Sequence, residues 1–170
     1  MMRYFLMAGI LVLCLIFPGT LFYYLSWDGI KPDLAMLWLI YLALHHRTSE
    51  GVILAAVTGL IVDLYLGRYL GLYVFTFIVL ALGSSYFQKR WYRDNIPLTT
   101  VLVFCLSLIG QALIAFLTSA AGLNWSLGYT ARLIILISLY NALLVPITYP
   151  PVHRSFTAGW LKKRSKYDLY

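Results

Sequence analysis

Apolar runs recur along this 170-residue chain, parted only by short polar breaks, at residues 4–25, 34–44, 52–66, 70–87, 98–121 and 129–149. A chain that is 62% hydrophobic and 11% charged has too little polar side chain to coat a water-soluble domain. A transmembrane β-barrel would alternate apolar and polar residues in segments of about ten, and these runs do not alternate. The pattern predicts an all-α integral membrane protein with six transmembrane helices. The second and third runs are short for a hydrocarbon core that needs about 20 helical residues. One reading makes them a re-entrant hairpin beside four full spans. The other, preferred here, counts their polar flanks, so that residues 30–46 and 48–66 approach spanning length.

Charge sets the expected orientation. Arg3, Arg47, Lys89, Arg90, Arg93, Arg154, Lys162, Lys163, Arg164 and Lys166 fall on one side of the six-helix scheme, and only Lys31, Arg68 and Arg132 on the other. Basic residues concentrate on the cytoplasmic side of membrane proteins, so both termini are expected there. The net charge of +7 then reports topology, not nucleic-acid binding. Trp27, Trp91 and Trp125 at segment ends suit an interfacial belt. The first run continues to Pro18-Gly19 without a small-x-small cleavage site and reads as a span, not a cleaved signal. Residues 1–154 form the expected transmembrane domain and 155–170 a basic cytoplasmic tail. No internal repeat, low-complexity tract or second domain is visible.

From Gly51 to Gly71, through the third run, every fourth residue is small except one: Gly51, Ala55, Gly59, Asp63, Gly67 and Gly71. On a helix this spacing makes a row along which another backbone can approach closely. A carboxylate near the bilayer centre costs about 2.5 to 3.5 kcal/mol on insertion scales, so Asp63 should face protein or water. Topology puts it about one turn below the outer surface, at a depth similar to that of Arg132 near the start of the last helix. An Asp63 to Arg132 ion pair, a partner- or solute-facing role, and a snorkelling acid near the interface all remain open.

Lys31-Pro32-Asp33 stands ahead of the second run; proline lacks an N–H and aspartate is a favoured N-cap, so a helix should start there, on the outer face. Gln111 and Asn141 are the amides deepest in hydrocarbon, and interhelical hydrogen bonding is their expected use. Pro146 should kink the last helix, while Pro150 and Pro151 should end it. Beyond them Trp160, Lys162, Lys163, Arg164 and Lys166 suit an interfacial segment on anionic lipid. The adjacent His45 and His46 point to different helix faces and have no acid or cysteine at ligand spacing, so no metal is expected. Cys14 and Cys105 lie in separate apolar runs and read as small buried hydrophobes. A single intramembrane carboxyl gives no protease dyad, and no H-E-x-x-H, G-x-S-x-G or Cys-His arrangement occurs. An enzyme, or a need for a cofactor, is not expected.

Lys31-Pro32-Asp33-Leu34, then Gly59-Leu-Ile-Val-Asp63-Leu with Gly67 and Gly71-Leu72, then Asn141 with Pro146, resemble in order and spacing the rod shape-determining protein MreD family. The resemblance covers nearly the whole chain, although residues 87–129 add only a matching helix. It implies a non-catalytic inner-membrane component of the bacterial cell-elongation machinery. Its implied associates are MreC, the actin-like MreB, the RodA glycosyltransferase and its partner penicillin-binding protein. It also implies a fold similar to the substrate-binding subunits of energy-coupling-factor vitamin transporters, which keeps a small-molecule reading open. On the scaffold reading, the small-residue row is the expected seat for the membrane helix of an MreC-like partner.

Overall fold

The computed structural model describes residues 2–20, 30–67, 69–88, 95–123 and 126–157. Six helices follow in order: α1 (Met2–Thr20), α2 (Leu34–His45), α3 (Thr48–Leu66), α4 (Leu72–Gln88), α5 (Ile96–Ala120) and α6 (Leu127–Thr157). They match the six apolar runs closely. Three of them, α3, α5 and α6, are long and apolar enough to cross a membrane.

Two antiparallel hairpins, α3 with α4 and α5 with α6, form the frame. Helix α2 lies between them and touches every other helix. Its sequence, Leu-Ala-Met-Leu-Trp-Leu-Ile-Tyr-Leu-Ala-Leu-His, has no polar face, and a helix that is apolar all round belongs in an interior. Accordingly every residue from Ala35 to Leu44 is buried. Twelve residues make a helix of roughly 18 Å, well short of a hydrocarbon core of about 30 Å. The second run is therefore a half-length central helix.

The surrounding helices are two-faced in a membrane sense. Helix α3 buries Gly51, Ala55, Thr58, Gly59, Val62 and Asp63, and exposes Ile53, Val57, Leu60 and Leu64 on the opposite side. Helix α6 likewise exposes Ile135, Leu139, Leu143 and Ile147. Outward stripes this apolar suit lipid and not water. Hydroxyls within the helices bond back to their own helix, as Ser84 does to the Leu80 carbonyl at 2.7 Å and Ser138 to that of Ile134 at 2.7 Å.

Two boundaries depart from expectation. Helix α6 does not stop at Pro150-Pro151 but continues to Thr157. The reason is tertiary: Phe156 stacks on His45 at 4.5 Å between ring centroids and packs edge-on to His46 at 5.6 Å, anchoring the turn beyond the prolines to α2. Residues 21–25, expected to finish the first helix, lie outside the described residues, as do Trp27, Arg68, Lys89, Arg90, Trp91, Arg93, Trp125 and the tail from residue 158 with Trp160, Lys162, Lys163, Arg164 and Lys166.

Candidate functional site

The row on α3 is a packing seam within the chain. A Cβ built on Gly59 would lie 2.6 Å from the Val74 Cα and 2.7 Å from its nitrogen, so only glycine lets α4 come this close. A Cβ built on Gly51 would meet the Ala43 Cα of α2 at an ordinary 3.7 Å, and Ala55 is fully buried. The row expected to seat a partner's helix is filled by α2 and α4. It also ends sooner than its spacing implied. Gly67 is the left-handed cap of α3 at φ 63°, its N–H bonded to the Asp63 carbonyl at 2.9 Å, and Gly71 lies in the following turn at φ 98°.

Close approach at Gly59 brings the next residue of the row, Asp63, to the start of α4. Its carboxylate accepts N–H bonds from Gly71 at 2.9 Å, Tyr73 at 2.9 Å and Val74 at 3.2 Å. The opening N–H groups of a helix have no partner inside it, and a side-chain oxygen normally supplied by the N-cap residue satisfies them. Here Gly71 has no side chain to offer, and the acid arrives from the neighbouring helix. Asp63 is only 2% exposed, yet its charge is held by donors at the positive end of a helix dipole. Arg132 is exposed on α6, a helix of the other hairpin, and the bonds given to Asp63 are to backbone.

A second carboxylate holds the start of α2. Asp33 Oδ1 accepts from the Met36 N–H at 2.9 Å, which makes it the N-cap, and its Oδ2 accepts from Gln111 Nε2 at 3.1 Å. The Asp33 N–H donates to Asn141 Oδ1 at 3.0 Å, and Asn141 Nδ2 donates to Ser107 Oγ at 3.2 Å. Gln111 and Ser107 stand well inside α5 and Asn141 near the middle of α6, so this helix start is internal. The expectation of an outer-face start for Lys31-Pro32-Asp33 is corrected: α2 begins at mid-bundle because two amides receive it there. Pro146 lies within the continuous α6, beyond Asn141.

With α2 confined to one half of the bundle, the other half is hollowed. A cavity of about 580 Å³ is walled by Asp63, Tyr65, Tyr69 and Tyr73 with Ile114 and Thr118. Another of about 260 Å³ includes Lys31, Asp33, Tyr73 and Gln111. A third, of about 360 Å³, separates α5 from α6 between Gln111 and Leu127.

At the opposite end is a cluster that sequence reading missed. His45 Nδ1 lies 2.8 Å from the Tyr41 carbonyl, and its Nε2 lies 3.2 Å from His153 Nδ1. Tyr149 stacks on His153 at 5.4 Å, and Tyr41 Oη bonds Thr148 Oγ1 at 2.8 Å. Only the proximity of the α2 and α6 ends, 108 residues apart in sequence, reveals the pair. Among the described residues no group of three or more His, Cys, Asp or Glu is placed to hold a metal ion. Cys14 is half-buried and Cys105 is exposed on the outer side of α5. The carboxylates of Asp33 and Asp63 are both committed to helix starts.

A family model described as rod shape-determining protein MreD matches residues 1–153. Comparison with curated proteins and with solved structures gives no match.

Proposed function

Because the chain belongs to the rod shape-determining protein MreD family, we propose that it is a non-catalytic, multi-pass component of the bacterial inner-membrane elongation complex. In this reading all six helices sit in the membrane with both termini cytoplasmic, as the distribution of basic residues requires. The protein supports lateral peptidoglycan synthesis by binding an MreC-like partner and, with it, the MreB, RodA and penicillin-binding components. Its basic tail rests on anionic lipid. The observation that carries the proposal is the family match over residues 1–153. Both intramembrane acids being spent on helix capping supports a scaffold role over a reactive one. Since α2 and α4 occupy the Gly51 to Asp63 row, partner contact falls on the outward apolar surfaces instead.

The decisive experiment depletes the chain in its own cells and re-expresses it. Rod shape should be lost and then restored, with an MreC-like protein recovered on the tagged chain from solubilised membranes. Unchanged cell shape on depletion would remove the proposal. The alternative reading, a substrate-binding subunit of a vitamin-type transporter, draws support from the cavities beside Asp33 and Asp63. Native mass spectrometry of gently extracted protein, carrying a stoichiometric water-soluble small molecule, would favour it.

A further inference from the structure

All three histidines of the chain, His45, His46 and His153, meet where the end of α2 packs against the end of α6. The protons of the facing pair can be counted from its bonds. His45 Nδ1 lies 2.8 Å from the Tyr41 carbonyl, which only accepts, so Nδ1 carries a hydrogen. His45 Nε2 lies 3.2 Å from His153 Nδ1. Two imidazole nitrogens bonded in this way share one hydrogen: one donates it and the other offers a lone pair. The hydrogen sits on His153 Nδ1 when His45 is neutral and on His45 Nε2 when His45 is charged. The bond therefore tolerates a positive charge on either ring. It does not tolerate one on both, because two imidazoliums turn N–H against N–H at close range.

The surroundings suit a single charge. His45 stacks on Phe156 with centroids 4.5 Å apart and planes at 18°, and Tyr149 stacks on His153 at 5.4 Å and 26°. A cation within about 6 Å of an aromatic face is attracted to it. The other titratable or charged groups at this end, among the described residues, are Tyr41 and His46 on α2, Tyr149 and Arg154 on α6, Arg47 and Glu50 where α3 begins, and Tyr86 near the end of α4. Tyr41 Oη is bonded to Thr148, and His46 Nδ1 lies 2.9 Å from the Leu42 carbonyl. Arg47 and Arg154 add positive charge, which opposes a second proton on the pair.

We propose that His45 and His153 form a proton-operated latch, which holds the end of α6 on α2 while at most one ring is charged and releases it when both are. The latch rests on these two side chains and is independent of the scaffold role. The open pair can bind one proton more than the closed pair, so the closed form is favoured at neutral pH and loses that advantage as pH falls. Histidine changes charge between about pH 5 and 8, which sets the range. Acid thereby frees the helix end that leads in sequence to Lys162, Lys163, Arg164 and Lys166.

Amide exchange of the full chain in lipid nanodiscs, corrected for the chemical rate, tests the latch at about pH 7.5 and about pH 5. Protection of residues 152–157 should fall about tenfold at the lower pH, the change that one linked proton supplies per pH unit. Protection at the centre of α5 should not change. His153→Asn puts an amide near the position of Nδ1, able to donate to a neutral His45 or accept from a charged one, and it cannot itself be charged. This variant should stay protected at both pH values, whereas His153→Leu should be unprotected at both. Equal protection of the native chain at the two pH values overturns the latch, as does an equal fall in α5, which means general unfolding. The same fall in His153→Asn also overturns it, because another group then titrates. The native chain alone decides the first two outcomes, whether or not the variants fold.

Discussion

At the scale of single residues, Gly59 and Asp63 act as one device: the missing side chain admits α4, and the carboxylate then reaches its first N–H groups. Gly59→Ala places a methyl 2.6 to 2.9 Å from Val74 and Tyr73 backbone, which cannot move like a side-chain tip. Overpacking of this kind costs about 1–3 kcal/mol. Thermal unfolding in detergent should therefore fall clearly for Gly59→Ala and stay level or rise for Gly51→Ala, which meets Ala43 at 3.7 Å and gains helix propensity. Equal stability of the two variants would break the seam argument. Gly59 is thus spent on packing within the chain and not on the partner helix that the row was expected to seat. Asp63→Asn keeps one acceptor oxygen and Asp63→Ala keeps none. The alanine variant should be the less stable of the two, with loss of a cap costing about 0.5–2 kcal/mol; hydrogen exchange at Tyr73 and Val74 should report it directly. Spacing alone exposed the row and its acid. It did not reveal what fills the row, because the partners of Asp63 are backbone N–H groups of residues 71, 73 and 74, which leave no side-chain pattern to read.

At the scale of elements, the apolar run of α2 was legible but its span and depth were not: the helix is Leu34–His45, not the near-spanning 30–46 preferred from sequence. Asp33 reads as an N-cap wherever a helix begins, at a surface or inside a bundle. The residues that place it, Gln111 and Asn141, lie 78 and 108 positions away. Asn141→Leu should strand the Asp33 N–H and remove the bond to Ser107 together, at about 1–3 kcal/mol for a buried group left unpaired. Ser107→Ala, which removes only the second bond, should cost less. Reversal of that order in thermal melts would show that Asn141 does not hold the start of α2. The end of α6 was misread for a related reason. Prolines predict loss of N–H donors correctly, but Phe156 against His45 and His46 supplies packing that a local rule does not contain. Phe156→Ala should therefore restore the boundary expected from Pro150-Pro151. Faster amide exchange across residues 152–157, with the centre of α6 unchanged, is the expected result.

At the scale of the whole molecule, composition alone was enough to announce a helical membrane protein, since 62% hydrophobic residues leave few other classes. The distribution of charge goes further and assigns a side to each connection. In the proposed orientation Asn95, just before α5, lies with the basic cytoplasmic breaks and Leu123, after α5, on the opposite face. Helix α5 has 25 residues, about 37 Å of rise, which is ample for a core of about 30 Å. Both positions are exposed, so neither substitution disturbs packing. In a chain with Cys14 and Cys105 replaced by serine, Leu123→Cys should react with a membrane-impermeant maleimide on intact cells. Asn95→Cys should react only after permeabilisation. The reverse pattern would invert the protein and leave the positive-inside argument without support. Reaction of both positions from one side would be more serious, because it would deny that α5 crosses at all. In that case the cleft between α5 and α6 would face water instead of hydrocarbon, and its apolar walls would need a protein partner to cover them.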